Sequence, residues 1–298
     1  MADANLQPSL DSLMPADMAA KAEAIGVKKA RLDFWSTFVL AVLAGAFISL
    51  GAIFATTVSA GSSALPYGVA RLLAGTVFSL GLILVVVGGA ELFTGNTLIV
   101  MAWAGGKVTT LQVLRNWAIV FLGNFVGALG TAALNFVAGQ YMFGKGLVGV
   151  AALAAANSKC ELEFPQALAL GILCNTLVCL AVWLSFSART TTDRVLCIVP
   201  PIAAFVAAGF EHSIANMYYV PFALLIKALA PASFWQAAGK AASDYPSVSM
   251  DAFLLHNLIP VTIGNIIGGA LLVGVVYWFV YLRQVKAPKP DVPVADNK

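Results

Sequence analysis

The chain reads as an all-α integral membrane protein of six transmembrane helices, built as two inverted three-helix repeats in which helices 2 and 5 are broken. Three observations carry that reading. First, 60% of the 298 residues are hydrophobic and only 10% are charged, against about 25% charged in a soluble domain; the mean hydropathy is +0.88. Second, six apolar runs at roughly 34–58, 72–106, 113–138, 164–187, 195–226 and 257–281 each reach the ~20 residues that a helix needs to cross a bilayer. Third, the second and fifth runs are too long, and each carries an acid near its middle.

Residues 1–33 are polar and amphipathic and lack the apolar core of a signal peptide. The stretch "PADMAAKAEAIGVKKARLDFW" predicts a helix beginning near Pro15. Its residues read as a helix lying on the membrane surface with its lysines at the headgroups. The transmembrane domain spans 34–285, with repeat one at 34–138, repeat two at 164–281, and a tail at 286–298. Lys and Arg sort by side. Lys21, Lys28, Lys29, Arg31, Lys107, Arg115, Arg189, Arg194, Arg283, Lys286, Lys289 and Lys298 fall on the side of the termini, and Arg71, Lys145, Lys159, Lys227 and Lys240 on the other. The positive-inside rule therefore puts both termini in the cytoplasm. Trp35, Trp103, Trp235 and Trp278 lie near predicted helix ends, as interfacial anchors should.

Unbroken helices over runs 2 and 5 would be roughly 50 Å long, against a hydrocarbon core of ~30 Å. The breaks are placed at "GGAELFTGNT" (88–97) and "AAGFEHSIAN" (207–216), where glycine before the acid supplies backbone freedom. The two sites match: Glu91 precedes Asn96 by five residues, and Glu211 precedes Asn216 by five. Runs 3 and 6 share "GNFVG" (123–127) and "GNIIG" (264–268). Runs 1 and 4 share a weaker echo, "LAGAFIS" (43–49) against "ALGILCN" (169–175). The echoes keep one order, and because three crossings is odd the second copy inserts upside down, as in transport proteins with broken helices at the midplane. Gly123 and Gly127, like Gly264 and Gly268, read as close-packing positions. Asn124 and Asn265 read either as interhelical glue or as pore donors.

Several function classes are excluded. A net charge of +3 with no basic run argues against nucleic acid. Cys160, Cys174, Cys179 and Cys197 form no disulfide framework, and two histidines, His212 and His256, offer no metal spacing. No cofactor or metal site is expected. An intramembrane enzyme using Glu211 and His212 as acid and base lacks any G-x-S-x-G or H-E-x-x-H partner motif.

"AELFTGNT", "GFEHSIANM" and "NLIPVTIGNIIGG" resemble the signature stretches of the formate/nitrite transporter family, over about residues 30–285. "SLGLILVVVGGAELFT" and "GILCNTLVCLAVW" are most like its formate channel branch. The resemblance implies an aquaporin-like protomer with one pore, assembled as a homopentamer in the inner membrane. It implies a pH-dependent passage for small monovalent anions, chiefly formate, with nitrite, acetate or hydrosulfide as variants; a neutral-solute pore shares the architecture. By the same resemblance His212 and Thr94 are central, and Phe78, Leu82, Leu92 and Phe205 are constrictions. Lys159, in a loop, would draw anions, and Asn175 and Asn265 would border the pore. For the helix near Pro15 the resemblance alone suggests a cytoplasmic gate that shifts with pH. His256 receives no role.

These residues suit that chemistry. An unpaired anion in a dry apolar passage costs many kcal/mol, so it needs donors, a positive potential or a proton. Histidine, which titrates near pH 6.5, can serve all three. Glu91 and Glu211, with Asn96 and Asn216, read instead as props that satisfy backbone groups left open at the breaks. A fixed anion facing anionic cargo would defeat it, so both acids are expected to point away from the passage.

Overall fold

The computed structural model describes residues 12–283, so the tail at 286–298 lies outside the described residues. In chain order the elements are α1 (Pro15–Ala30), α2 (Phe34–Ser59), α3 (Tyr67–Gly88), α4 (Phe93–Ala104), α5 (Thr110–Val137), α6 (Leu147–Cys160), α7 (Phe164–Ser187), α8 (Thr191–Ala208), α9 (Ser213–Leu229), α10 (Ala232–Ala238) and α11 (Met250–Tyr281). The described residues contain no strand. Helices α2, α3, α5, α7, α8 and α11 are long and apolar enough to cross a membrane. Helix α10 folds back from α9 at 109°.

Local signals set the boundaries. The Asp33 carboxylate accepts from the Ser36 N–H and starts α2, and Thr109 with Gln112, and Thr190 with Asp193, form capping boxes for α5 and α8. Both predicted breaks are present. Gly89 (φ +82°) ends α3 and Gly209 (φ +78°) ends α8, each in the left-handed region. The next residue folds back in each case: Ala90 N–H donates to Val85 O and Phe210 N–H to Phe205 O, the pattern of a glycine-terminated helix.

Helices α2, α3 with α4, and α5 form one repeat; α7, α8 with α9, and α11 form the other. The paired glycines are packing positions. A Cβ on Gly127 would lie 2.0 Å from Val42 O, and on Gly268 2.2 Å from Ile172 O. The repeats touch across α3 and α8, where a Cβ on Gly75 would lie 2.5 Å from Ala203 O.

The correspondence also runs upstream of the spans. The order of buried and exposed positions along 21–49 recurs along 151–179, so α6 is to the second repeat what α1 is to the first. Equivalent residues in this stretch are 130 apart. The echo read between 43–49 and 169–175 is therefore one turn out of register: Leu43 corresponds to Leu173. A slip of four residues keeps the same helix face, which is why it reads plausibly.

Helix α1 is docked on the bundle, against α4, α7 and α11, with Met18, Ala19, Ala22 and Glu23 buried. Lys21 donates to Phe186 O at 2.8 Å, and burial, with Arg194 and Arg189 nearby, lowers its pKa. The buried Glu23 carboxylate pairs with Lys107, just beyond the end of α4. These two polar contacts tether α1 to the bundle.

Candidate functional site

Three hydrogen bonds recur at the two breaks. At the first, Lys29 on α1 donates to Glu91 Oε1 at 2.7 Å, Asn96 Nδ2 to Glu91 Oε2 at 2.6 Å, and Asn116 Nδ2 to Lys29 O at 3.2 Å. At the second, Lys159 on α6 donates to Glu211 Oε1 at 2.8 Å, Asn216 Nδ2 to Glu211 Oε2 at 2.7 Å, and Asn257 Nδ2 to Lys159 O at 3.1 Å. Both carboxylates are 5% exposed and fully partnered.

The unwound backbone is held the same way. Asn124 accepts from Phe93 N–H and donates to Ala41 O and Glu91 O. Asn265 accepts from Ser213 N–H and donates to Gly171 O and Glu211 O. Helix breaks without such partners would leave backbone groups bare at membrane depth, at several kcal/mol each.

Between the breaks, Thr94 Oγ1 lies 3.1 Å from His212 Nε2, and both residues are buried. His212 also caps α9: its Nδ1 accepts from Ala215 N–H at 3.1 Å. An Nδ1 that accepts cannot carry the ring proton, so the neutral imidazole bears it on Nε2, facing Thr94. The imidazole then donates to the Thr94 oxygen. The Thr94 hydroxyl proton is left without a protein acceptor among the described residues.

Two cavities approach this pair along α3. One, of about 620 Å³, is lined by Arg71, Phe78, Phe205, Lys159, Glu211 and His212, among others. The other, of about 510 Å³, is lined by Lys28, Lys29, Leu82, Glu91 and Leu92, among others. Phe78 and Leu82, one helical turn apart, therefore face different cavities. All four apolar residues are 2–3% exposed. Phe205 meets Phe78 edge-on at 5.7 Å and stacks on His212 at 6.0 Å between ring centroids. Four buried apolar side chains, Phe78 and Phe205 lining one cavity and Leu82 and Leu92 the other, thus stand where the cavities approach the imidazole and the hydroxyl.

Three expected placements are corrected. Lys159 is not in a loop; it ends α6, bound to Glu211, because 147–160 form a helix too short to read as a span. Cys160, next to it on the same helix, is buried. Asn175 and Asn265 border neither cavity. Their amides are consumed by backbone and by Thr97: Asn175 Nδ2 reaches Thr94 O at 3.2 Å, Thr97 Oγ1 at 3.2 Å and Asn265 O at 2.6 Å. An asparagine in an apolar run has too many internal partners available for exposure to a pore to follow from its type alone. Sequence reasoning missed Lys29, Asn116 and Asn257. A signal for the first was present: "KARLDF" at 29–34 parallels "KCELEF" at 159–164.

A family model described as formate/nitrite transporter matches residues 16–279. Formate channel FocA of Escherichia coli (strain K12) is 48% identical over 274 residues, covering 92% of this chain and 96% of that protein. Formate channel FocA of Haemophilus influenzae is 42% identical over 275 residues, covering 92% and 97%. Among solved structures, a pentameric formate channel with formate bound superposes with TM-score 0.80 at 46% identity, covering 84% of this chain and 98% of that one. An FNT family ion channel does so with TM-score 0.75 at 29% identity, covering 89% and 98%.

Proposed function

The chain belongs to the formate/nitrite transporter family, and on that premise we propose that it is a homopentameric channel for formate and similar small monovalent anions, one pore per protomer. It conducts and does no covalent chemistry on its cargo. The observation that carries this reading is that two cavities, one lined by Phe78 and Phe205 and the other by Leu82 and Leu92, approach the buried Thr94–His212 pair. The excess of Lys and Arg on the side of the termini supports cytoplasmic termini in an inner membrane.

In this mechanism a hydrated anion enters a cavity freely but loses its water at the four apolar side chains. The Thr94 hydroxyl, spared by the His212 donor, turns its proton to the incoming oxygen. A charge-assisted hydrogen bond of this type contributes about 1.5–3 kcal/mol where water has been stripped away. Conduction is pH-dependent in this reading because a second proton on His212 must go to Nδ1, where it displaces the Ala215 N–H bond and loosens the start of α9. Protonation thereby couples charge beside Thr94 to the shape of the break.

The test is His212→Asn beside Thr94→Val in proteoliposomes. Asparagine still accepts from Ala215 N–H and preserves the cap, but does not titrate. Formate flux through H212N is expected to lose the pH dependence that wild-type flux shows, and flux through T94V is expected to fall about tenfold, the equivalent of one hydrogen bond. Unaltered pH profile and flux in both variants would remove the pair from the mechanism.

A further inference from the structure

We propose that Arg71 is a carboxylate-docking site in the 620 Å³ cavity, ahead of the Phe78–Phe205 closure, and that it, not Lys159, recruits the anion on that side. This rests on the channel reading above. The charged side chains lining the cavity are Arg71, Lys159 and Glu211. Lys159 is spoken for: its ammonium lies 2.8 Å from Glu211 Oε1, with its side chain 17% exposed. That pair is neutral at any distance an approaching anion would feel. The one charge left over in the lining is the guanidinium.

Arg71 has no carboxylate partner among the described residues. It is held instead by the C-terminal end of α8: Nε donates to Ala207 O at 3.1 Å and Nη2 donates to Val206 O. Those carbonyls present the negative end of a helix dipole, roughly half a charge. They fix the guanidinium without cancelling it. The residue lies seven positions before Phe78 on α3, about 10 Å along the axis, between the mouth of the cavity and the Phe78–Phe205 closure.

The mode of clamping sets the chemistry. A guanidinium has a side edge, Nε with Nη2, and an end edge, Nη1 with Nη2. The two carbonyls occupy the side edge. The end edge, two parallel N–H groups, has no protein partner among the described residues. Two parallel donors match the two oxygens of a carboxylate. A lysine would supply the charge but not the fork, and a spherical anion could use the charge but not the fork. Arg71 would therefore concentrate anions in general and favour carboxylates in particular.

Initial formate flux is measured in proteoliposomes for the wild type, Arg71→Gln and Arg71→Lys, with substrate supplied from each side separately, at low and high ionic strength, beside hydrosulfide. Glutamine retains a donor for the α8 carbonyls, and thermal stability in detergent reads that capping role. At low salt R71Q is expected to raise the apparent KM for formate about fivefold from the Arg71 side, with maximal flux little changed. At ~0.5 M salt the difference should shrink, because screening removes recruitment. R71K is expected to keep the low-salt KM within about twofold but to lose preference for formate over hydrosulfide. An R71Q channel with wild-type KM at low salt overturns the recruiting role, as does a loss that is independent of salt and tracks lowered stability. An R71K channel with wild-type preference overturns the fork. Wild-type protein that passes no formate defeats the channel reading and this site together, whereas wild-type flux unaffected by either variant defeats this site alone.

Discussion

The break after α3 and the break after α8 are built from the same parts, a left-handed glycine, a buried glutamate, an asparagine five residues on, a lysine from a preceding short helix and a bracing asparagine from the third span. They differ in the residues just beyond the acid. Leu92 and Thr94 come after Glu91; His212 and Ile214 come after Glu211. The differences extend outwards from that point. Gly45 packs with no side chain, its absent Cβ 2.1 Å from Asn124 O, where Asn175 stands in the second repeat and donates to Asn265 O. Helix α5 is regular, while α11 contains π-helical stretches at Phe253–Leu258 and Ile267–Val275. The second of these brings Gly269 against Thr97, Asn175 and Cys179, behind Thr94. The lesson is a division of labour. The shared parts hold irregular backbone in a low-dielectric slab, a problem each repeat faces equally. The unshared parts gather around Thr94 and His212, because one cargo in one passage needs only one polar centre.

The comparison breaks most easily at the acids. Glu91→Ala and Glu211→Ala each take the carboxylate from a partly buried lysine and from a buried asparagine amide, and each should destabilise the protein by about 3 kcal/mol, measured as loss of folded protein in thermal melts in detergent. If one variant is tolerated while the other collapses, the two networks are not equivalent supports. Next come the braces. Asn124→Ala and Asn265→Ala each remove three hydrogen bonds to backbone, and about 2 kcal/mol apiece is expected by the same melts; a disparity greater than twofold would show the braces carry different loads. The smallest stability effect should be at Asn175→Ala, which makes the second repeat more like the first. A loss of about 1 kcal/mol is expected, with a disproportionate fall in formate flux because the Thr94 carbonyl loses a fixed donor. Wild-type flux in N175A would confine Asn175 to packing.

The sequence by itself determined the six spans, the two breaks and their equivalence. Apolar length, a mid-run acid and the Glu-to-Asn spacing are local quantities, and the bilayer leaves few structures able to satisfy them. It also determined that Gly123, Gly127, Gly264 and Gly268 mark close helix contacts, since small residues four apart share a face. Only the tertiary structure decided where the polar side chains point. Asn175, Asn265 and Lys159 are the same residue types whether they line a passage or brace backbone, and the choice depends on partners up to 94 residues away. The same holds for α6: as a string, 147–160 is too short to span and reads as a loop, and it becomes a structural unit only when Lys159 reaches Glu211 as Lys29 reaches Glu91. Hydrogen bonds across repeats join residues that no periodicity relates, so their geometry exists only once the helices are packed.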